Sequence, residues 1–135
     1  MIRILFSLFF LSVLFYAKDL KPTFVYKASG GVTHLAYSDN KLYVATQASS
    51  VDVFDLKTKK KIKSIKVPQI KDFMGDTIDA KIYNTDVYKN KVLLTVQDTS
   101  GFRELFIYEN NKLTKLISKD DKLYISKALF LDDKY

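Results

Sequence analysis

The sequence predicts an all-β chain of repeated four-stranded antiparallel sheets, and three observations carry that prediction. Residues 33–66 read THLAYS-DN-KLYVAT-QASS-VDVFDL-KTKK-KIKSIK, four short apolar runs parted by small or charged turns. That is the pattern of a meander joined by hairpins. The same grammar returns roughly fifty residues later, over residues 82–117. The inner runs are also apolar on both sides of their alternation, which suits a sheet covered on both faces. Together these features describe β-propeller-like blades, each of which needs a neighbour to bury its faces.

Composition narrows the classes of protein. Of 135 residues, 47% are hydrophobic and 14% aromatic, too rich in core-forming side chains for a disordered chain. The formal charge of +7 comes from 22 Lys and Arg against 15 Asp and Glu, scattered along the chain rather than massed on one element. Such scatter describes a solubilising surface, and no nucleic-acid partner is expected. The absence of cysteine excludes disulfides, thiol catalysis, cysteine-bound metals and a lipid-anchored amino terminus.

At the amino terminus a short basic leader, Met1-Ile2-Arg3, precedes an uncharged apolar run from Ile4 to Tyr16. The run is shorter than the roughly 20 residues of a bilayer span and has the make-up of a secretory signal. Cleavage is expected between Ala17 and Lys18, although Phe15 stands where a small residue is preferred; an uncleaved anchor is the alternative. The expected organisation is therefore a signal peptide over 1–17 and a propeller domain over 18–135. Its destination is an export compartment such as the periplasm, and its membrane contact is limited to the signal segment before cleavage.

The first blade is expected over about 33–66. Before it, Thr23 to Tyr26 is a short β-prone run, and Ser29-Gly30-Gly31 breaks it, with glycine expected to supply a positive φ. Asp39-Asn40 is a two-residue hairpin turn. In the next run Leu42 and Val44 share one side while Tyr43 and Ala45 share the other; then Val51 and Val53 share a face, with Asp52 and Phe54 opposite. The fourth run is crowded by Lys57, Lys59, Lys60, Lys61, Lys63 and Lys66 around Ile62 and Ile65. Lysines on an outermost strand discourage sheet-to-sheet pairing, although an acidic partner or anionic lipid could also meet them.

Residues 67–81 (VPQIKDFMGDTIDAK) form the longest stretch without an obvious strand, with a helical turn conceivable at Asp72 to Met74. Its aspartates at 72, 76 and 79 lack the close alternation and closing glutamate of a hand-type calcium loop, so no metal is expected. A second blade follows over about 82–117, with Tyr88-Lys89-Asn90-Lys91 echoing the first hairpin, Val92 and Leu94 echoing Leu42 and Val44, and Gln97 echoing Gln47. Residues 123–135 read as the opening of a third. A closed propeller needs at least four blades, upward of about 160 residues, so the chain is expected to be a fragment of a longer protein.

With FVYKASGGV, KLYVATQASSVDVFDLKTKKKIKSI and IKDFMGDTIDAKIYNTDVY in view, residues 18–131 resemble the accessory L proteins of periplasmic nitrate reductase (Nap) systems. The resemblance implies an exported, WD-repeat-like or quinoprotein-like propeller with a non-catalytic part in supporting the reductase. Phe73-Met74-Gly75-Asp76 is the more distinctive matching piece. The Trp-Asp ending of true WD repeats is missing here.

Function is expected to be protein binding or assembly rather than catalysis, with no cofactor. In a meander the link between blades and the hairpin joining strands two and three leave on the same side. That side gathers residues 47–50, 67–81 and 97–103, and long loops on a rigid scaffold are where contacts usually sit. Phe73, Met74, Gly75, Asp76, Phe102 and Arg103 are the candidate interaction residues, for a protein partner that the resemblance identifies with a nitrate reductase component. The alternatives are a scaffold for envelope assembly and a propeller hydrolase or quinoprotein-type enzyme. The single histidine, His34, reads as a strand residue near a blade end rather than a catalytic base, and no serine stands in a nucleophile elbow.

Overall fold

The computed structural model describes residues 21–131. The expected signal segment, the Ala17–Lys18 junction and residues 132–135 of the expected third blade lie outside the described residues. Two four-stranded antiparallel meanders dominate. The first blade comprises β1 (Val32–Ser38), β2 (Lys41–Thr46), β3 (Ser50–Asp55) and β4 (Lys60–Lys66), hydrogen-bonded in that order. A small hairpin of β5 (Ile70–Lys71) and β6 (Thr77–Ile78) follows. The second blade comprises β7 (Ile82–Tyr88), β8 (Lys91–Gln97), β9 (Arg103–Glu109) and β10 (Lys112–Ile117), and a single 3-10 turn spans Lys119–Asp121.

Turn chemistry sets the strand limits. Asp39 and Asn40 both take positive φ, 48° and 58°, as do Asn110 and Asn111 between β9 and β10. Paired positive φ gives the tight turn whose twist matches a hairpin, and Asp and Asn tolerate it better than most residues. The repetition extends to irregularities. β1 shifts register between Val32 and His34, and β7 shifts at the corresponding point between Ile82 and Asn84. Each outer strand is bulged as well, β4 at Ile62 and β10 at Leu116. Bulges add local twist and bend a strand, so repeating them in place gives both blades the same curvature.

The blades share one core. Ala45, Val51, Val53 and Ile65 on one face of the first blade form a buried cluster with Val92, Leu94, Val96 and Phe106 of the second; Val67, Ala80 and Ile82 join from the link and β7. The two-sided apolar pattern of the inner strands is thereby satisfied, with Val44 and Phe54 buried on the opposite side of the first blade. That side is covered by residues 21–31, which are extended but form no strand. The Tyr26 ring lies 5.1 Å from that of Phe54, and Ser29 donates from its amide and hydroxyl to the buried Asp52 carboxylate at 2.6 and 3.0 Å.

Gly30 and Gly31 do not take the positive φ expected of them. A Cβ on Gly30 would lie 2.8 Å from Ala48 Cβ, and one on Gly31 would lie 3.0 Å from Gln47 Oε1. The glycines serve close approach to the β2–β3 loop, and the Gln47 amide donates to the Gly31 carbonyl at 2.9 Å.

Residues 123–131 lie along β7. His34 and Asn84 occupy matching positions, opposite Ala45 and Thr95. His34 Nδ1 faces the Thr85 amide at 3.5 Å, and Asn84 Oδ1 accepts from the Ala128 amide at 3.2 Å. The Phe130 amide donates to Asp86 Oδ2 at 2.7 Å. The tail therefore stands to the second blade much as β7 stands to the first, though without a ladder of its own.

Candidate functional site

The end of the molecule that carries the β2–β3 loop, the link between blades and the β8–β9 loop is tied together by hydrogen bonds close to its base. Ser49 is central: its carbonyl accepts from the Val67 amide at 2.9 Å and its hydroxyl from the Ala80 amide at 2.7 Å. It is buried and takes a left-handed backbone with φ of 51°. Both ends of the link are thus clamped to one residue of the first blade. Lys81 and Gln97 complete the base, the Gln97 amide donating to the Lys81 carbonyl at 2.8 Å and its side-chain oxygen accepting from the Lys81 amide at 3.1 Å.

The link does not form a helical turn at Asp72–Met74. It folds into the β5–β6 hairpin because Asp72 organises the chain reversal. One carboxylate oxygen of Asp72 accepts from the amides of Met74 and Asp76, both at 2.9 Å, while its own amide donates to the Asp76 carbonyl at 2.9 Å. An aspartate that mimics a backbone turn in this way favours reversal over helix. Gly75 completes it at φ of 90°, a conformation that a side chain would strain. The Gln69 side-chain Nε2 donates to Asp79 Oδ1 at 2.9 Å, crossing the hairpin stem.

Phe73, Met74, Gly75 and Asp76 therefore lie together at the hairpin tip. Phe73 is 97% exposed and Met74 73%. Two large apolar side chains presented on a turn that is fixed at both ends make an anchor available to a partner. Asp76 uses only its backbone in the turn, which leaves its carboxylate for charged contacts.

Phe102 and Arg103 are not part of that tip. The Phe102 ring meets that of Tyr124 edge to face at 6.1 Å. The Arg103 guanidinium donates to the carbonyls of Ile125 and Ser126 at 3.0 and 2.7 Å and lies 4.0 Å above the centre of the Tyr83 ring. These two residues hold the tail segment against the second blade, around a small niche of about 70 Å³. Sequence reasoning did not name Ser49, and it met Asp72 only as a spaced carboxylate and Gln97 only as an echo of Gln47, without the clamping roles that the three residues have. Only Asp72 carried a readable signal, the aspartate three places before a glycine.

His34 sits half-buried in the seam between blades, its Nε2 3.4 Å from Asn84 Nδ2. Among the described residues no three His, Asp or Glu side chains are grouped so as to hold a metal ion. No helix among the described residues is long and apolar enough to cross a membrane.

The geometry defines a pair of β-propeller-like blades with an exposed apolar hairpin tip on the loop end. No family model matches the chain, and no curated protein matches it. Among solved structures a europium-containing methanol dehydrogenase is similar in part, with 22% identity and a TM-score of 0.46 over 61% of this chain. The match spans 15% of that protein's length.

Proposed function

We propose that this chain is an exported, non-catalytic binding or assembly module that captures a protein partner through its loop end, and that the partner is a component of a periplasmic nitrate reductase. One observation supports the contact side above all: Phe73 and Met74 stand exposed at the tip of a hairpin carried by a link whose two ends are clamped to Ser49. A soluble protein gains nothing in folding from such exposure, whereas an interface gains an apolar anchor with little ordering cost. The nitrate reductase assignment rests on the sequence resemblance.

The test is capture of the reductase subunits by tagged full-length protein from a periplasmic extract. Phe73→Ser with Asp76→Asn is expected to lower capture about tenfold or more, the size of one interface anchor, with an unchanged melting temperature. Equal capture by the double variant would remove the tip from the reading. Recovery of other envelope proteins without reductase subunits would remove the nitrate reductase assignment and leave the contact side standing.

A further inference from the structure

At the end opposite the loops, where the turns at 39–40 and 89–90 lie, the blades diverge and leave an open cleft of about 530 Å³. The volume falls within the range of small-molecule sites. Its floor is aliphatic, from Val53 and Ile65 of the first blade and Val92 of the second. Tyr43 and Tyr108 bring aromatic surface from opposite blades. Burial and the nearby Asp39 charge raise the pKa of the Tyr43 phenol, so it stays protonated and able to donate. Lys41, Lys63 and Lys89 outnumber the single carboxylate of Asp39 around the opening.

Lys63 reaches across from β4 to the other blade, where its ammonium donates to Asn111 Oδ1 at 2.7 Å and lies 4.6 Å from the Tyr108 ring centre. That places a positive charge beside aromatic surface at the cleft. Lys41 shares a sheet face with Tyr43 and Val53 and makes no ion pair or hydrogen bond through its side chain among the described residues. We propose that this cleft binds a small amphipathic anion of the arylalkyl carboxylate class, its ring against Tyr43, Tyr108 and the aliphatic floor and its carboxylate toward Lys41 and Lys63. Apolar lining supplies most of the burial, and the lysines and the Tyr43 hydroxyl set the orientation and charge preference. The site lies away from the hairpin tip and is independent of the proposed partner.

The test uses the full chain and two probes of the same shape, 3-phenylpropanoate and its neutral amide, followed by side-chain nuclear magnetic resonance. The carboxylate is expected to shift the Tyr43 and Tyr108 ring signals and the Val53, Ile65 and Val92 methyl signals saturably, with the amide about tenfold weaker. Lys41→Gln with Lys63→Gln is expected to weaken carboxylate binding by about the same factor, whereas Lys60→Gln with Lys66→Gln, an equal charge change outside the cleft, leaves it unchanged. The proposal fails if shifts do not saturate, if they centre elsewhere, if the amide binds equally, or if only an acidic peptide occupies the cleft. Should the Lys41/Lys63 variant not fold, the comparison of carboxylate with amide on the unaltered chain decides alone.

Discussion

Asp52 shows how a single charge ties a loose segment to a sheet. It has no exposed surface, and besides Ser29 it accepts from the Ser64 hydroxyl at 2.9 Å, with the Lys61 ammonium 3.5 Å away. Burial pushes its pKa up, but the hydrogen bonds from Ser29 and Ser64 and the charge of Lys61 prevail, and the carboxyl titrates below its ordinary range. The Lys61 side chain is 40% exposed, so its pairing is screened and the serines carry most of the effect. Because the folded pKa lies below the unfolded value of about 3.9, the stabilisation is complete above that pH and is lost as pH falls through the folded pKa. Asp52→Asn is expected to cost about 2 kcal/mol in urea unfolding at pH 7, to shrink the loss of stability on acidification, and to speed exchange of the Ser29 amide. An unchanged acid limb of the stability curve would exclude Asp52 as its source.

At the scale of elements, the two outer strands and the tail make separate predictions. β4 and β10 are the outer edges of their sheets, and each combines lysines with a bulge. Charge and local twist together block pairing with another sheet. Lys60 and Lys66 are exposed on β4, and changing both to valine is expected to convert a concentration-independent elution into self-association in size-exclusion chromatography. No change up to about millimolar protein would mean that the bulge at Ile62 suffices. The tail depends on Arg103: Arg103→Met removes two hydrogen bonds and a stacked cation, an expected local loss of about 1–3 kcal/mol. The amides of Ala128 and Phe130 should then exchange faster while those of β8 keep their protection.

For the molecule as a whole, the shared core makes the blades one thermodynamic unit. Leu94 is fully buried within the cluster that also contains Val51, Val53 and Ile65 of the other blade. Leu94→Ala is expected to cost about 3 kcal/mol and to lower protection in β3 as much as in β9. Loss confined to the second blade would show that the sheets unfold separately. Much of this architecture was legible beforehand. Residues 82–117 match the observed second blade, and residues 33–66 match the first to within one residue, because Asp39-Asn40 and the period-two runs are local signals. The β5–β6 hairpin was not legible, since its strands are two residues each and its turn depends on a side chain folding back onto the backbone.

The sequence alone determined the strands, their order and the need for cover on both faces, since alternation and turn residues act over a few neighbours in the chain. Tertiary structure decided what provides that cover. Ser29 reaches Asp52, Arg103 reaches Ile125 and Ser126, and Gly30 abuts Ala48, contacts between residues far apart in sequence that no local pattern encodes. It also decided which of the loop-end residues are committed to the fold and which are not. Phe102 and Arg103 are spent on the tail, whereas Phe73 and Met74 remain exposed, because only packing determines whether an apolar or charged side chain finds a partner within its own chain.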